Sequence, residues 1–349
     1  MTEPLLLSLA TAVPPYVIDQ DEAAARAAAL FAGRVFRTPD LMSLFANTGI
    51  RTRRSVRPMD WYAEPRSWPE RNAVYLEAAE ALYIEATEKA LAAAGLRADQ
   101  IGTVVTVSST GIATPSLEAR LAGRLGFRPG VRRVPVFGLG CAGGVSGLAI
   151  AARLAQSIPG EPVLLVVVEL CTLSCRPDEF TKANVVATAL FGDGAAALML
   201  RAGDGGTGRR IEGSGEHIWP DTLDIMGWRI DPVGFGVILS SDLPAFVTRE
   251  FRIAGAQVLS DLNVSRDKVG RFVFHPGGAR VLPALEASLD LPEGSLDLER
   301  QVLADYGNMS APTVLFVLER ALAAGVEGRL MLGALGPGFT ATFVSLGPA

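Results

Sequence analysis

The sequence predicts an α/β fold in which buried sheets lie between layers of helices. Short runs rich in β-branched residues alternate with longer runs that carry apolar residues at helical spacing. The run EPVLLVVVEL (161–170) is apolar almost throughout, as is typical of a strand buried on both faces. Both halves of the chain repeat the order of strand and helix and end in strands. This order is typical of mixed α/β layers.

The elements follow from hydrophobic spacing and from glycine and proline signals. Strands are predicted at 5–14, 101–110, 133–140 and 161–170, and the segment 189–203 is predicted as a strand that a glycine turn interrupts. Helices are predicted at 73–96, 116–127 and directly after Cys141. The glycine-rich segment GDGGTGRR (203–210) is the predicted link between an N-terminal half, 1–205, and a C-terminal half, 206–349.

The second half continues the same pattern. After the segment 236–244 come a helix at 245–263, a strand at 268–278, helices at 279–291 and 310–325, and a closing hairpin at 329–347.

Composition excludes several classes of protein. The formal net charge of -5 argues against nucleic acid as the main partner. Three cysteines, two of them in LCTLSC, make no disulfide framework, and no Cys and His spacing suits zinc. The acidic N-terminus lacks the basic region of a signal peptide, and no apolar run reaches the roughly 18 residues of a membrane span. We expect a cytoplasmic protein.

Cys141 is the first candidate for chemistry. It stands in GLGCAGG, between a predicted strand and a predicted helix. The first turn of a helix has unpaired N–H groups and a partial positive charge, which favour a thiolate nucleophile. Glycines this dense weaken a helix start, so we expect Gly143 and Gly144 to keep bulk away from the sulfur. The alternative is a small residue in a glycine-packed junction.

His275 and Asn308 are the candidate partners of that cysteine. A nucleophilic cysteine needs a base, and the chain has only two histidines. His217 lies in a polar segment that predicts a surface loop, whereas His275 ends an apolar strand in FVFHPGG, where a side chain emerges from a core. Asn308, in YGNMS, precedes a predicted helix. It either caps that helix or offers an amide that holds an oxyanion.

The three motifs together resemble the type III polyketide synthases, the chalcone synthase-like family of the thiolase superfamily. Two further segments, ALFGDGAAA (189–197) and GALGPGFTATFVSL (333–346), share the resemblance, which runs in order over nearly the whole chain. Within the family, SSTGIATPSLEARL (108–121) resembles the bacterial branch that makes alkylresorcinols and alkylpyrones.

The resemblance implies a thiolase-like duplicated αβαβα fold and a homodimer. It implies acyl-CoA and malonyl-CoA as substrates, with no metal and no organic cofactor. It further implies that Cys141 carries the acyl starter, which we expect to be fatty acyl, as a thioester. His275 would help to hold the thiolate, and His275 and Asn308 would bind the malonyl thioester carbonyl during decarboxylation. Repeated condensation and cyclisation would then give an alkylpyrone or alkylresorcinol.

The resemblance also suggests residues of the substrate pocket. Phe191 matches the phenylalanine that guards the coenzyme A passage, and Val237 stands where plant enzymes have a second one. This departure suggests a different or wider opening. Trp228 stands where the plant enzymes carry glycine, and Cys171 and Ser174 where they carry threonines. Thr114 matches a position that reaches into the partner's cavity. The remaining pocket candidates are Glu169, Ser310 and Gly338.

Arg280, just after HPGG, is the preferred candidate for the phosphates of coenzyme A, with Arg51 and Arg54 as further ones. Two other functions stay open at this point. A ketoacyl-ACP synthase III-like enzyme shares the triad but performs one condensation with a carrier protein. A noncatalytic acyl-binding protein would keep the fold alone.

Overall fold

The computed structural model of the protein describes residues 3–203 and 208–348. The strands are β1 (Pro4–Ala12), β2 (Tyr16–Asp19), β3 (Thr52–Ser55), β4 (Thr103–Val107), β5 (Arg132–Val136), β6 (Val163–Leu170), β7 (Asp193–Ala202), β8 (Arg209–Ile218), β9 (Met226–Asp231), β10 (Gly234–Leu239), β11 (Val269–Phe274), β12 (Arg329–Gly336) and β13 (Thr340–Leu346). The α-helices are α1 (Gln20–Phe31), α2 (Thr38–Ala46), α3 (Trp68–Ala94), α4 (Leu117–Leu125), α5 (Gly143–Ser157), α6 (Lys182–Leu190), α7 (Leu243–Asp261), α8 (Val281–Ser288), α9 (Asp297–Tyr306) and α10 (Thr313–Ala323).

Within the described residues, nine strands pair in the order β11-β12-β13-β8-β1-β7-β6-β4-β5. The two sides of this sheet meet where β1 pairs with β8, over only Leu5↔Arg210 and Leu6↔Arg209. On one side β4 is parallel to β5 and β6, and on the other β11 is parallel to β12. Two smaller ladders, β2-β3 and β9-β10, lie outside the main sheet.

Two apolar helices, α5 and α10, form the middle layer. Val145 and Leu148 of α5 and Val314 and Val317 of α10 are fully buried in one core with strands of both sides of the sheet. Helix α3 packs on the outer face of the N-terminal strands, and α7 and α8 pack on the outer face of the C-terminal ones. The layers therefore follow the order αβαβα, and the predicted thiolase-like fold is confirmed.

Local signals explain where several elements begin and end. Helix α3 starts with a capping box between Ser67 and Glu70 and ends at Gly95, whose φ of +63° suits glycine. The predicted closing hairpin is present, with β12 and β13 paired in antiparallel register from Leu330↔Leu346 to Gly336↔Thr340. The predicted link around 205 and 206 lies outside the described residues, so the two-half division stays a prediction.

Two predicted elements were wrong. The segment 189–203 is no interrupted strand: it contains the end of α6, and β7 then runs without a break. His217 lies half-buried in strand β8, not in a surface loop. The glycines near it, which suggested a loop, allow α7 to pack closely: a Cβ at Gly215 would stand 2.7 Å from Val258 Cγ1, and one at Gly213 would stand 2.8 Å from Leu262 Cδ2.

Across the described ranges, none of the helices has both the length and the apolar composition that crossing a bilayer requires.

Candidate active site

Cys141 lies where the sequence places it, at the approach to the middle layer. A single 3₁₀ turn, Gly140–Ala142, follows β5 and leads directly into α5. Gly140 has a φ of +47°, which favours glycine, and a Cβ there would stand 2.7 Å from the ring of Pro337. The sulfur is half-buried at the wall of an internal cavity.

The role expected for Gly143 and Gly144 was wrong. Neither keeps the space around the sulfur open. A Cβ at Gly143 would stand 2.7 Å from Val107 Cγ1 on β4, and one at Gly144 would collide with the carbonyl oxygen of Ala311. These glycines therefore allow α5 to approach both the sheet and the residues that precede α10, and so bring Cys141 close to the Asn308 segment.

His275 is the first residue after β11, and its backbone N–H donates to Gly333 O at 2.9 Å. The side chain is 5% exposed. Neither ring nitrogen has a hydrogen-bond partner within the described part of the chain. A buried imidazole without partners is costly unless it serves another molecule, and His275 lines the same cavity as Cys141.

Hydrogen bonds hold Asn308 through both its backbone groups and its side chain. Its N–H donates to Leu190 O at 2.8 Å, and its carbonyl accepts from Gly192 N at 3.0 Å. The side-chain Nδ2 donates to Gly277 O at 3.0 Å, and Oδ1 accepts from Ser310 N at 2.8 Å. One N–H of the amide therefore remains to face the cavity, and the side chain is locked in place.

Ser310 closes the turn that presents Asn308. Its φ is +59°, an uncommon conformation for a residue with a side chain, and such strain concentrates at functional sites. Thr313, at the start of α10, stabilises the turn: its hydroxyl donates to Ser310 O at 2.8 Å and accepts from Met309 N at 3.0 Å.

The shared cavity has a volume of about 90 Å³ and a mostly apolar wall. Besides the three candidate catalytic residues, it is lined by five of the predicted pocket residues: Cys171, Phe191, Trp228, Val237 and Ser310.

Trp228 lines the cavity as part of an aromatic cluster. Its ring stacks on Phe235 at 5.8 Å and meets Phe191 edge-on at 6.3 Å. The indole Nε1 donates to Ser109 O at 2.8 Å, which fixes the ring across the cavity. Val237 faces Trp228 in the β9–β10 ladder. An aromatic cluster therefore stands where the resemblance led us to expect a wider opening at Val237.

Four predicted pocket residues do not line the cavity. Glu169 is fully buried behind it, and its carboxylate accepts from Ser109 N at 3.0 Å and Thr110 Oγ1 at 2.8 Å. Burial raises the pKa of Glu169 to about 8. The hydroxyl of Ser174 donates a hydrogen bond to Cys171 O at 2.7 Å. The other two are Thr114, which is exposed, and Gly338, in the hairpin turn after Pro337.

The sequence did not point to Ser109, Thr110 and Pro337, which line the cavity. Ser109 and Thr110 follow β4, and Glu169 ends the adjacent parallel strand β6. The sequence could have indicated Ser109 and Thr110, because the carboxyl ends of neighbouring parallel strands meet at one edge of a sheet.

A second cavity, of about 320 Å³, adjoins the first and shares Leu190, Leu239, Leu243, Gly277 and Val281 with it. Arg280 and Lys182 line this second cavity, are exposed, and form no ion pair within the described ranges. Arg280, the preferred candidate for the phosphates of coenzyme A, therefore lies at this cavity. Lys182, the first residue of α6, lies there too and was not among the candidates from the sequence.

Arg51 and Arg54 line neither cavity. Arg51 forms an ion pair with Asp305, and Arg54 pairs with Val17 in the β2–β3 ladder. The structure thus separates these two candidates from Arg280.

The position of Cys141 at a helix start predicts a thiolate, whereas the structure favours uncharged forms of both Cys141 and His275. Burial raises the pKa of Cys141 to about 11, although hydrogen bonds with Ser310 and Asn308 oppose the shift. Burial also lowers the pKa of His275 to about 3. Both directions favour an uncharged thiol and imidazole in the empty cavity. Transfer of the thiol proton to the imidazole creates a thiolate without changing the net charge of the cavity.

We expect His275→Gln to move the alkylation of Cys141 to higher pH. The substitution removes the proton acceptor, so burial alone then sets the thiol pKa. The thiolate reacts and the thiol does not, so the half-point of alkylation should rise by about one pH unit or more. Iodoacetamide labelling followed by peptide mass spectrometry, at pH steps from about 5 to 12, measures it. Cys175, which does not line this cavity, is the internal control, and an identical half-point for Cys141 in both proteins would contradict proton transfer to His275.

Within residues 3–203 and 208–348, no group of three or more His, Cys, Asp or Glu side chains is arranged to hold a metal ion.

Comparison with protein families shows two adjoining matches. Residues 60–204 match the N-terminal domain of chalcone and stilbene synthases, and residues 210–346 match the C-terminal domain of the same family.

Curated relatives agree with the family match. The 1,3,6,8-tetrahydroxynaphthalene synthase of Streptomyces peucetius subsp. caesius is 41% identical over 88% of this chain and 83% of its own length. A putative chalcone synthase of Bacillus subtilis is 36% identical over 96% of both. The α-pyrone synthesis polyketide synthase-like Pks18 of Mycobacterium tuberculosis is 29% identical over 97% of this chain and 90% of its own.

Solved structures extend the likeness to the whole chain. The 1,3,6,8-tetrahydroxynaphthalene synthase of Streptomyces coelicolor, a bacterial type III polyketide synthase, superposes with a TM-score of 0.93 at 30% identity and 99% coverage of each chain. CsyB in complex with CoA-SH has a TM-score of 0.89 at 26% identity, over 99% of this chain and 100% of its own. The chain belongs to the chalcone and stilbene synthase family: it is a type III polyketide synthase, an acyltransferase that condenses malonyl-CoA iteratively and cyclises the product.

Proposed function

We propose that Cys141 carries the growing acyl chain and that His275 and Asn308 hold the oxygen that becomes negative when malonyl-CoA loses CO₂. The observation that carries the proposal is one mostly apolar cavity that all three residues line, with both ring nitrogens of His275 lacking a hydrogen-bond partner among the described residues. An unpartnered donor in a cavity from which water is excluded is suited to a charge that appears only during reaction.

Loading is a thioester exchange. The thiol proton of Cys141 moves to His275, and the sulfur attacks the carbonyl carbon of the acyl-CoA. The bond from that carbon to the coenzyme A sulfur breaks, and the proton on the imidazole neutralises the departing thiolate. The acyl group is then bound to Cys141, and His275 is neutral again, with one N–H to donate.

Extension begins with the loss of CO₂ from malonyl-CoA. The electron pair of the broken C–C bond moves onto the thioester oxygen as an enolate, which the N–H of His275 and the free N–H of Asn308 stabilise. The nucleophilic carbon then attacks the acyl carbonyl on Cys141, and the C–S bond breaks to restore the thiolate. The chain, longer by two carbons, is now on coenzyme A and returns to Cys141 for another round.

We place coenzyme A in the second cavity, with its phosphates on Arg280 and Lys182. Both cations are exposed at that cavity and unpaired in the described part of the chain, and guanidinium and ammonium groups bind phosphate strongly. The shared wall at Leu190 and Gly277 joins this cavity to the one at Cys141. The homodimer and the reach of Thr114 into a partner's cavity also remain proposals.

A starter of few carbon atoms, malonyl-CoA itself, fits the cavity best. The volume of about 90 Å³ leaves more room beside a short starter than beside a long acyl chain. The relatives from two Streptomyces species that are named 1,3,6,8-tetrahydroxynaphthalene synthase, 41% and 30% identical, support a product with fused aromatic rings.

A fatty acyl starter that gives an alkylpyrone or alkylresorcinol is the second candidate, and it is the one that the sequence predicts. The likeness to the α-pyrone synthesis protein supports it. It requires the cavity to extend well beyond its present wall, since a long acyl chain exceeds its volume.

Incubation with malonyl-CoA alone, and with malonyl-CoA plus acyl-CoAs of increasing length, separates these candidates. A polyketide from malonyl-CoA alone supports the small starter, and products that appear only with long acyl-CoA support the second. Malonyl-ACP in place of malonyl-CoA tests the single-condensation alternative. Failure to form any condensed product, from protein shown to be folded, would contradict both candidates.

We expect Trp228→Gly to shift use of starters toward longer acyl chains. Loss of the indole opens the wall between Phe191 and Phe235, and each added methylene that a pocket accepts changes selectivity by about tenfold or more. The measurement is the ratio of products from hexanoyl-CoA and malonyl-CoA in competition. Trp228→Phe, which keeps an aromatic wall, is the matched control and should keep the ratio of the unmodified protein. No change in Trp228→Gly would show that another residue limits the starter.

A further inference from the structure

A third cavity, which we call the α1 cavity, lies between helix α1 and the segments after β3 and β6. It has a volume of about 150 Å³ and shares no lining residue with the cavity at Cys141. Its apolar wall comes mainly from α1, through Ala27, Leu30 and Phe31, with Met59 opposite.

Arg53, on β3, lines the α1 cavity and is only 3% exposed. Its Nη1 donates to Thr188 O at 2.6 Å and to Phe191 O at 2.9 Å. Its Nε has no hydrogen-bond partner among the described residues. The nearby Asp193 does not compensate this charge directly, because its carboxylate is held by Val56 N at 2.9 Å and by the backbone and hydroxyl of Thr172 at 2.8 and 2.6 Å.

Arg176 lines the same cavity and is 4% exposed. Its Nη1 donates to Glu179 Oε2 at 3.1 Å and to Asp231 Oδ2 at 2.7 Å. Its Nε and Nη2 are buried, and neither has a partner in the part of the chain that the structure describes.

Two buried arginines thus line one cavity, and three of their nitrogen donors have no partner among the described residues. Glu179 and Asp231 compensate the charge of Arg176, whereas no described carboxylate forms an ion pair with Arg53. Burying a donor without an acceptor, or a cation without an anion, destabilises a protein. A water molecule supplies an acceptor but does not compensate charge, and it gains nothing from the apolar wall. A carboxylate has two acceptor oxygens with the geometry that guanidinium groups bind in pairs.

We propose that the α1 cavity binds a small monocarboxylate, with its carboxylate on Arg53 and Arg176 and its apolar body against α1. The volume limits that body to a short aliphatic chain or a single ring. The site shares no lining residue with the cavity where acyl chains grow, and the bond from Arg53 to the carbonyl of Phe191 links the two.

Isothermal titration calorimetry of the full-length protein with sodium hexanoate tests the proposal. Hexanamide has the same body without the charge, and inorganic phosphate has charge without the body. We expect saturable binding of hexanoate, with hexanamide and phosphate each at least tenfold weaker. Equal affinity for hexanamide or for phosphate, or no saturable binding of hexanoate, would overturn the assignment.

Two variants locate the binding. Ala27→Leu fills the cavity from α1 without touching either arginine, and Arg53→Gln removes one charge. Both should weaken hexanoate binding at least tenfold, whereas Ala25→Leu, on the exposed face of the same helix, should bind as the unmodified protein does. Thermal melts show whether each variant folds, and Ala27→Leu decides the question if Arg53→Gln does not. Unaltered hexanoate binding in a folded Ala27→Leu protein would place the ligand elsewhere.

Discussion

Replacing Cys141 with alanine should abolish acyl loading and, with it, all condensed product. The sulfur is the atom that carries the acyl chain in the proposed mechanism, and Cys171, the other thiol in the lining of the cavity, is fully buried. Removal of a catalytic nucleophile typically costs a factor of about 10³ or more in turnover. Intact-protein mass spectrometry after incubation with acyl-CoA measures the covalent adduct, and product analysis measures turnover.

Cys175→Ala is the matched control for this experiment. Cys175 is also a cysteine, but it does not line the cavity at Cys141. The Cys175→Ala protein should therefore gain the same mass from the acyl adduct as the unmodified protein does. An adduct of undiminished stoichiometry on Cys141→Ala would assign the acyl group to another residue and would remove the basis of the proposed mechanism.

The three candidate catalytic residues were accessible to prediction because each lies at the end of a regular element. Cys141 precedes a helix, His275 follows a strand, and Asn308 precedes a helix, and all three positions carry strong local signals. In a layered α/β fold such ends collect at one edge. The sequence therefore predicted the composition of the site, and the structure brings the three side chains to one cavity.

The protonation state and the pocket shape were not accessible in the same way. The sequence shows that Cys141 begins a helix, but the shift in its pKa depends on how far the surrounding layers exclude water. Similarly, the resemblance places Trp228 in the pocket, but it does not show how the ring is held there. Its effect on the cavity follows from the stacking with Phe235 and the bond to Ser109, which bring together segments far apart in the chain.

Glycine caused the clearest errors because it has two structural uses that a sequence does not distinguish. At Gly215 and Gly144 it allows close packing inside a strand and a helix, whereas at Gly140 it allows a turn with positive φ. A glycine-rich segment therefore predicts a departure from ordinary packing, but the neighbouring element decides which use applies.

Asn308→Ala should separate the two halves of the reaction, because it should slow the decarboxylation of malonyl-CoA and leave acyl loading largely intact. The Nδ2 of Asn308 is fixed by Gly277 O, and its remaining N–H is one of the two donors proposed for the enolate oxygen. Loss of one such donor costs about 10²- to 10³-fold in rate. Release of CO₂ from labelled malonyl-CoA measures decarboxylation, and the mass of the acylated protein measures loading.

The control for this variant is Gln257→Ala, which removes a side-chain amide from the exposed face of α7, where it bonds only Asp261. It should decarboxylate malonyl-CoA at the rate of the unmodified protein. If Asn308→Ala also kept that rate, His275 alone would have to stabilise the enolate. If Asn308→Ala lost acyl loading as severely as decarboxylation, the amide would act by shaping the turn at Ser310 and not as a donor to the transition state. Its oxygen accepts a hydrogen bond from the backbone N–H of Ser310.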